Sequence, residues 1–202
     1  TETAFRPPAP KPRAASRLMM LGSMVSLASA GSAGAVEDES AEAAPAVAAV
    51  SCFAPTPHSF GDMGSHAWAD TAVSWLVESE ITAGIGNGNY GPQSNVTRAQ
   101  MAVFLHKAAG GADPVGSHPF TDMGSHAWAE TSVRWLYESG ITAGVSADHF
   151  GPQNTVTRAQ MAVFLHKAAG NQPPAGTHSF TDVPADSFAG TSISWLVESG
   201  IT

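Results

Sequence analysis

The sequence has a single cysteine, Cys52, among its 202 residues. One thiol cannot form an internal disulfide or supply a cysteine-based zinc site, so neither can stabilise this chain. Cations are also scarce, because 9 lysines and arginines face 17 acidic residues and the formal net charge is −8. So acidic a chain is a poor partner for nucleic acid, and an anionic ligand would need local cations or backbone donors to hold it.

The N-terminal segment differs in composition from the rest of the chain. Residues 1–35 run from basic positions through the apolar stretch RLMMLGSMVSLASAGSAGA to small residues, which is the order of a secretory signal peptide. Gly and Ser interrupt this stretch and acidic residues follow it, so we favour a signal peptide over a membrane anchor and expect no transmembrane segment. Residues 36–57, rich in Ala, Pro and Glu, predict a disordered linker. The protein is therefore expected to be secreted.

The remainder of the sequence is a repeat. His58, His118 and His178 begin similar segments, each 60 positions after the last, and so define repeat 1 (58–117), repeat 2 (118–177) and repeat 3 (178–202). Repeat 3 stops inside a pattern that the earlier copies continue, so we expect it to be truncated and the sequence to be part of a longer protein. A period of this size indicates supersecondary units that share an apolar core with their neighbours.

Each complete repeat predicts a helix, a loop and a second helix. The first helix covers the stretch from Asp70 in repeat 1, and the loops, residues 83–96 and 143–156, are dense in Gly, Asn and Pro. The second helix begins in VTRAQMAVFLHKAAG, which occurs unchanged at 96–110 and 156–170. Thr97 with Gln100 is a capping box, and apolar residues follow at helical spacing. The sequence therefore predicts an all-α fold of helix-loop-helix repeats.

Two kinds of position within this pattern predict how the first helices end and how the loops are held. Gly140 and Gly200 stand where a helix needs a left-handed stop, but repeat 1 has Glu80 there, so that helix should end differently or at a cost. Tyr90 and Phe150, each followed by Gly-Pro, are expected to peg the loops in place. The loops would then be held by their own aromatic residues.

Arg98 and Arg158 are not explained by capping or core packing. Each takes a first-turn position, where the helix dipole disfavours a cation by up to ~1 kcal/mol. An arginine among the free amides of a helix start can form a small anion site. A solvent-exposed or salt-bridged arginine is the alternative, and the residues alone leave both interpretations open.

The spaced motifs resemble those of the S-layer homology family. They are FGD at 60–62, FTD at 120–122 and 180–182, GITAG at 140–144, FGP at 150–152, and VTRAQ at 96–100 and 156–160. The resemblance covers two full copies and part of a third, roughly residues 58–202. Two features depart from the family pattern: Gln100 and Gln160 replace a glutamate, and repeat 3 ends before its loop and second helix.

The resemblance implies a fold and a task. Three repeats would close into a pseudo-threefold helical bundle, which is incomplete here. The module would hold an exported protein to the bacterial cell wall or surface layer by binding acidic, often pyruvylated, secondary cell-wall polysaccharide between neighbouring repeats. Carried over to this chain, the ligand-binding residues are the motif arginines Arg98 and Arg158, with loop-side contacts from Tyr90, Gly91, Phe150 and Gly151. Self-association in a surface layer is the rival interpretation.

Other side chains offer weaker signals. Trp68 and Trp128 could stack on sugar rings, although core packing is the simpler interpretation. Asp62 with His66, repeated as Asp122 with His126, lacks the spacing of a metal site, so turn caps are favoured and no metal is expected. His106 and His166 are expected on the exposed side of the second helix. No catalytic motif or cofactor site is apparent, and we expect a non-enzymatic module or the non-catalytic part of a secreted wall hydrolase.

Overall fold

The computed structural model describes residues 55–202; the predicted signal peptide and most of the predicted linker lie outside the described residues. Five α-helices follow one another along the chain: α1 Asp70–Glu78, α2 Arg98–Ala108, α3 Glu130–Glu138, α4 Arg158–Ala168 and α5 Gly190–Glu198. Short 3-10 helices, Gly64–Ala69 and Gly124–Ala129, precede α1 and α3. Residues 55–202 contain no β-strand, so the all-α prediction is confirmed, whereas the pseudo-threefold closure stays a prediction.

The second helix of each complete repeat starts with the predicted capping box. Thr97 Oγ1 accepts from the amide of Gln100 at 3.2 Å, and Gln100 Oε1 accepts from the amide of Thr97 at 2.9 Å. Thr157 and Gln160 make the same pair of bonds. Both boxes satisfy amides that have no partner inside the helix, which fixes where α2 and α4 begin.

The first helices all end in a left-handed residue. Gly140 and Gly200 both have φ of 67°, and Glu80 has φ of 58° at the equivalent place. The helix of repeat 1 therefore ends as the others do, and the side chain of Glu80 carries the predicted strain. The Nζ atom of Lys107 donates to the carbonyl of Glu80 at 3.0 Å and so ties α2 to this turn.

Neighbouring repeats share their apolar cores, as the repeat length predicts. Between repeats 1 and 2, Ala99, Met101 and Leu105 of α2 pack with Val133 and Leu136 of α3. A smaller core between repeats 2 and 3 brings Ala162 of α4 together with three residues of repeat 3: Ala189, Ile193 and Leu196. The second helix of each complete repeat thus packs on the first helix of the next repeat, and each junction buries a face that one repeat alone would expose.

The prediction that His106 and His166 are exposed is wrong, because both are buried in the inter-repeat junctions. The Nδ1 atom of His106 lies 3.1 Å from Ser132 Oγ on α3, and its Nε2 lies 2.9 Å from the carbonyl oxygen of Ala112. The imidazole also stacks on Trp135, with ring centroids 5.2 Å apart. His166 makes the matching contacts in the next junction. A polar side chain is tolerated on the packed face because both ring nitrogens have partners.

Candidate functional site

An aspartate in each of the first two repeats holds the loop of the same repeat. The carboxylate of Asp62 accepts from the amides of Tyr90 and Gly91, both at 2.8 Å. Asp122 accepts from Phe150 and Gly151 at the same distances. These aspartates are therefore loop tethers, and the loop amides nearest the aromatic residue are engaged within the chain. Gly91 and Gly151 have φ of 74° and 70°, a conformation that favours glycine.

The tethers lower the pKa of both carboxyl groups. For Asp62 the main cause is the hydrogen bond from the amide of Tyr90. For Asp122 the largest single influence is burial, which raises the pKa, but the amides of Phe150 and Gly151 contribute to a net shift below the usual value. Both aspartates therefore stay ionised at neutral pH, where an ionised carboxylate is the stronger acceptor.

The guanidinium of Arg98 is buried between repeats 1 and 2, with 6% of the residue exposed. Its Nε donates to the carbonyl oxygen of Phe150 at 2.7 Å, and one terminal nitrogen lies 3.5 Å from Thr142 Oγ1. The guanidinium carbon also lies 4.7 Å from the centroid of the fully buried ring of Phe150. Arg98 thus clamps the loop of repeat 2 to α2, an arrangement that is neither of the two interpretations the sequence left open.

Backbone bonds reinforce this clamp at the start of α2. The amide of Arg98 donates to the carbonyl of Asn154 at 2.8 Å, and the amide of Ala99 donates to the carbonyl of Pro152 at 3.1 Å. Burial lowers the pKa of Arg98, and the charge of Asp122 partly offsets this effect, so the guanidinium remains protonated. The start of α2 is therefore occupied by the next repeat's own loop.

Arg158 has the same sequence context as Arg98 and a different environment. Its side chain is exposed and lines an open groove of about 760 Å³, the Arg158 groove, between the start of α4 and repeat 3. Further lining residues include Thr157, Phe180, Asp182 and Leu196. Among residues 55–202, neither the amides of Arg158 and Ala159 nor the Arg158 side chain has a hydrogen-bond partner. The groove thus presents a free cation beside free helix-start amides.

Trp68 and Trp128 lie on the surface, so the interpretation that they pack in the core is wrong. Trp68 is 84% exposed and Trp128 is 58% exposed, each just before the first helix of its repeat. Phe188, at the equivalent position of repeat 3, is 74% exposed. Val73 and Val133, one turn further along in the first helices, are buried. Each repeat therefore displays a large aromatic ring at this position.

The remaining candidates do not come together as a site. Within residues 55–202 no three His, Cys, Asp or Glu side chains gather where they could hold a metal ion. Nor does any described helix have the length and apolar character needed to cross a membrane. Phe150 is buried as the predicted peg, and Tyr90 is half-buried against Phe60, with ring centroids 5.5 Å apart.

Sequence reasoning missed several residues that lie near the motif arginines. Thr142 contacts Arg98, and Asp182 and Thr202 line the Arg158 groove. A signal for Thr142 and Thr202 was present, since both end the Gly-Ile-Thr motif of their repeats. Arg134, which stands where the other repeats have Ser74 and Ser194, was also missed; its Nε is buried without a described partner.

Comparison with known proteins identifies the repeats. The S-layer homology domain model matches residues 59–102 and 119–162, which cover the Phe-x-Asp turn, the loop and the start of the second helix in both complete copies. The chain carries S-layer homology repeats. The resemblance read from the motifs is thereby confirmed for repeats 1 and 2.

Curated relatives carry the same kind of segment within much longer chains. An endoglucanase from Bacillus sp. (strain KSM-635) is 31% identical over 54% of this chain and 11% of its own length. A cell surface protein from Thermoanaerobacter kivui is 32% identical over 60% of this chain and 16% of its own. A cellulosome-anchoring protein from Acetivibrio thermocellus is 28% identical over 65% of this chain and 30% of its own. The chain thus spans less than a third of each of these relatives.

These comparisons support association with the bacterial cell surface. The S-layer homology domain is a non-catalytic anchoring module, and S-layer proteins from Bacillus licheniformis and Lysinibacillus sphaericus match as well. The endoglucanase match is attributed to the same module, because it covers only 11% of that enzyme. The repeats are therefore surface-anchoring units.

Proposed function

We propose that the chain anchors an exported protein to the bacterial cell envelope by binding acidic secondary cell-wall polysaccharide, with pyruvate ketals as the acidic groups. The observation that carries this proposal is the exposed guanidinium of Arg158 at the start of α4, inside an open groove. A ketal carboxylate can accept paired hydrogen bonds from a guanidinium and further bonds from helix-start amides. The overall negative charge of the chain makes such a local donor set necessary.

The two motif arginines have different parts in this proposal. Arg98 donates a hydrogen bond from Nε to the carbonyl oxygen of Phe150 and is almost fully buried, so its main role is structural. Arg158 supplies the charged contact among the described residues. The amides of Tyr90, Gly91, Phe150 and Gly151 are engaged by aspartates, and Phe150 is fully buried with its carbonyl bound to Arg98. Of these loop residues, only the half-buried ring of Tyr90 remains for a contact with sugar.

The exposed rings supply a second kind of contact. Sugar faces are apolar on one side and stack on flat aromatic surfaces, and Trp68 and Trp128 present such surfaces to solvent. An exposed ring at the same position of each repeat suits a polymer, because a repeating ligand can meet a repeating surface and gain avidity from several weak contacts.

The test is co-sedimentation of the purified protein with cell-wall sacculi, before and after extraction of their polysaccharide. Anchoring predicts pelleting that extraction abolishes. Arg158→Ala should weaken binding by about tenfold or more, since one charge-assisted contact of ~1.5–3 kcal/mol is lost. The matched control is Lys167→Ala, which removes one exposed cation at the other end of the same helix and should leave binding unchanged.

Structural effects are separated by circular dichroism and urea unfolding. Arg158→Ala should retain the helical signal and the unfolding midpoint, whereas Arg98→Ala should lower the midpoint because the carbonyl of Phe150 loses its buried donor. Equal pelleting of wild-type protein and Arg158→Ala would remove this arginine from the proposal, and pelleting that survives extraction would remove the polysaccharide.

A second candidate function is protein–protein interaction in a surface layer. Exposed apolar side chains favour it, namely Ile85 and Val145 in the two loops and Phe188 in repeat 3. Self-association predicts pelleting without sacculi. If the chain is the non-catalytic part of a wall hydrolase, sugar should be released only when a catalytic domain is attached. Release of sugar by this chain alone would contradict the anchoring proposal.

A further inference from the structure

A buried histidine lies at each junction between repeats. His106 is 6% exposed and His166 is 2% exposed. Each Nδ1 atom lies 3.1 Å from a serine hydroxyl on the first helix of the next repeat, Ser132 on α3 and Ser192 on α5. Each Nε2 atom approaches a main-chain carbonyl oxygen of the connecting segment, at 2.9 Å for His106 and 2.7 Å for His166. The imidazole therefore links three parts of the junction: the second helix, the connecting segment and the first helix of the next repeat.

These partners are all satisfied when the imidazole is neutral. A carbonyl oxygen can only accept, so Nε2 must carry the hydrogen and donate it. Nδ1 is then an acceptor and takes a hydrogen bond from the serine hydroxyl. A second proton on Nδ1 would turn this acceptor into a donor. Protonation therefore reverses the bond to the next helix and leaves the serine hydrogen without its partner.

No carboxylate compensates a charge on either ring. Within residues 55–202, neither junction histidine forms an ion pair with a carboxylate. The acidic side chains of α3 and α5 have other partners. Glu130 pairs with His118, at 2.9 Å. Glu138 and Glu198 accept from amides of the connecting segments.

The remaining charged residues and histidines of the adjoining helices and segments leave the rings unpaired as well. In the first junction they are Arg98, Lys107, Asp113, His126 and Arg134. In the second they are Arg158, Lys167, His178, Asp182 and Asp186. In the described part of the chain, none of these side chains forms a hydrogen bond with either imidazole. A proton on either ring would therefore place an unpaired charge in a nearly closed space, which is costly.

A tryptophan covers one face of each ring. Trp135 stacks on His106 with ring centroids 5.2 Å apart, and Trp195 stacks on His166 at 5.0 Å. An aromatic face attracts a cation, so the stacking offsets part of the cost of a buried charge. Loss of hydration is the larger effect for a buried cation that has no carboxylate partner, so a charged ring opposes closure of the junction.

We propose that the two junctions form a pH-sensitive switch, which is closed while His106 and His166 are neutral and loosens when acidification protonates them. Histidine is the side chain that ordinarily changes charge between about pH 5 and about pH 8. The first junction holds Arg98 against the loop of repeat 2, and Leu196 of the second junction lines the Arg158 groove. Loosening would disturb both places, so the anchor would be released from the wall in acid; this last step rests on the proposed function.

The test compares the pH dependence of unfolding in the wild type and in a double variant, His106→Gln with His166→Gln. Glutamine retains an N–H donor for the connecting carbonyl and takes up no proton in this range. The urea midpoint of the wild type should fall from about pH 8 to about pH 5, because the unfolded chain binds protons that the closed junctions exclude. The midpoint of the double variant should fall by less than half as much. His126→Gln is the control and should follow the wild type, because the ring of His126 bonds to the adjacent Ser125 instead of bridging two repeats.

Nitrogen NMR of the wild-type imidazoles gives a measurement that does not depend on the stability of a variant. The rings of His106 and His166 should stay neutral until the signals of Trp135 and Trp195 change, since charging and loosening are one event. The switch is overturned if these two rings become charged while both tryptophan signals stay unchanged, or if the double variant follows the wild-type midpoint.

Co-sedimentation with sacculi over the same pH range tests the consequence for binding. Wild-type pelleting should fall several-fold on acidification, and pelleting of the double variant should change little. Pelleting that is absent at every pH would count against polysaccharide binding and leave the switch intact. Wild-type pelleting that resists acid, with the unfolding result as expected, would overturn the release step.

Discussion

Positions 80 and 140 share one backbone conformation and carry different side chains. Both residues end a first helix with positive φ, 58° at Glu80 and 67° at Gly140. Glycine adopts this conformation without a Cβ clash, whereas other L-residues pay for it. The helix of repeat 1 keeps its length because hydrogen bonds from Glu80 and Ile81 to carbonyls of the last turn hold it.

Glu80→Gly should therefore stabilise the protein by ~0.5–1 kcal/mol, because the relief of strain exceeds the entropy that glycine adds to the unfolded chain. Urea unfolding followed by circular dichroism measures the difference. The reciprocal change, Gly140→Glu, should destabilise the protein by a similar amount. A neutral result for both would show that this turn relaxes to accept either residue.

At the scale of single residues, the two motif arginines show why the sequence could not predict which side chains are buried. Residues 96–110 and 156–170 are identical, yet Arg98 is buried and Arg158 is exposed. What differs is the chain that lies opposite, and no local pattern encodes that. His106 was misplaced for a related reason, since its partners Ser132 and Ala112 come from outside its helix.

Among the structural elements, the loop of repeat 2 is held both by its own repeat and by repeat 1. Asp122 tethers the loop of repeat 2 through two amides, and Arg98 clamps it through the carbonyl of Phe150. Helix starts were predictable because capping boxes are local. The path of a loop was not, because it depends on groups that lie 28 to 52 positions away in the sequence.

Asp122→Asn should destabilise the protein at neutral pH, because an amide presents one acceptor oxygen where the carboxylate presents two. The pH dependence has a defined sign. Since the pKa of Asp122 is lowered on folding, its contribution is present above the ordinary value of 3.8 and is lost as pH falls through the folded pKa. Unfolding free energies measured from pH 7 to pH 3 should therefore fall less steeply for the variant than for the wild type.

Asp113→Asn provides the control for this pH dependence, because Asp113 is exposed in the connection between repeats. Its unfolding profile should follow that of the wild type. If Asp122→Asn also followed the wild-type profile, the two amide bonds would not be a source of acid sensitivity. Asp62→Asn is expected to resemble Asp122→Asn, because Asp62 tethers the loop of repeat 1 by the same bonds.

At the scale of the whole molecule, the two junctions are unequal. The core between repeats 1 and 2 contains Phe150 and Leu136, both with no exposed surface. The core between repeats 2 and 3 is smaller and borders the open Arg158 groove. The period of 60 residues predicted that cores are shared, but it could not predict how completely each one is closed.

Leu136→Ala should cost ~3–5 kcal/mol, because it leaves a closed cavity in a packed core. The equivalent change in repeat 3, Leu196→Ala, should cost at least ~1 kcal/mol less, because Leu196 faces the groove and water can reach the vacated space. Chemical denaturation of both variants measures the difference. Equal costs would mean that repeat 3 is as tightly packed as repeat 2.

The arginine clamp and the aspartate tethers share one property: each of them binds a main-chain group of the loop. Arg98 binds a main-chain carbonyl, and Asp62 and Asp122 bind main-chain amides. Every residue except proline has both groups, so the aspartate tether accepts Tyr90 in repeat 1 and Phe150 in repeat 2. As far as these hydrogen bonds are concerned, the side chain at this position can therefore change from one repeat to the next without a compensating exchange of the aspartate or arginine.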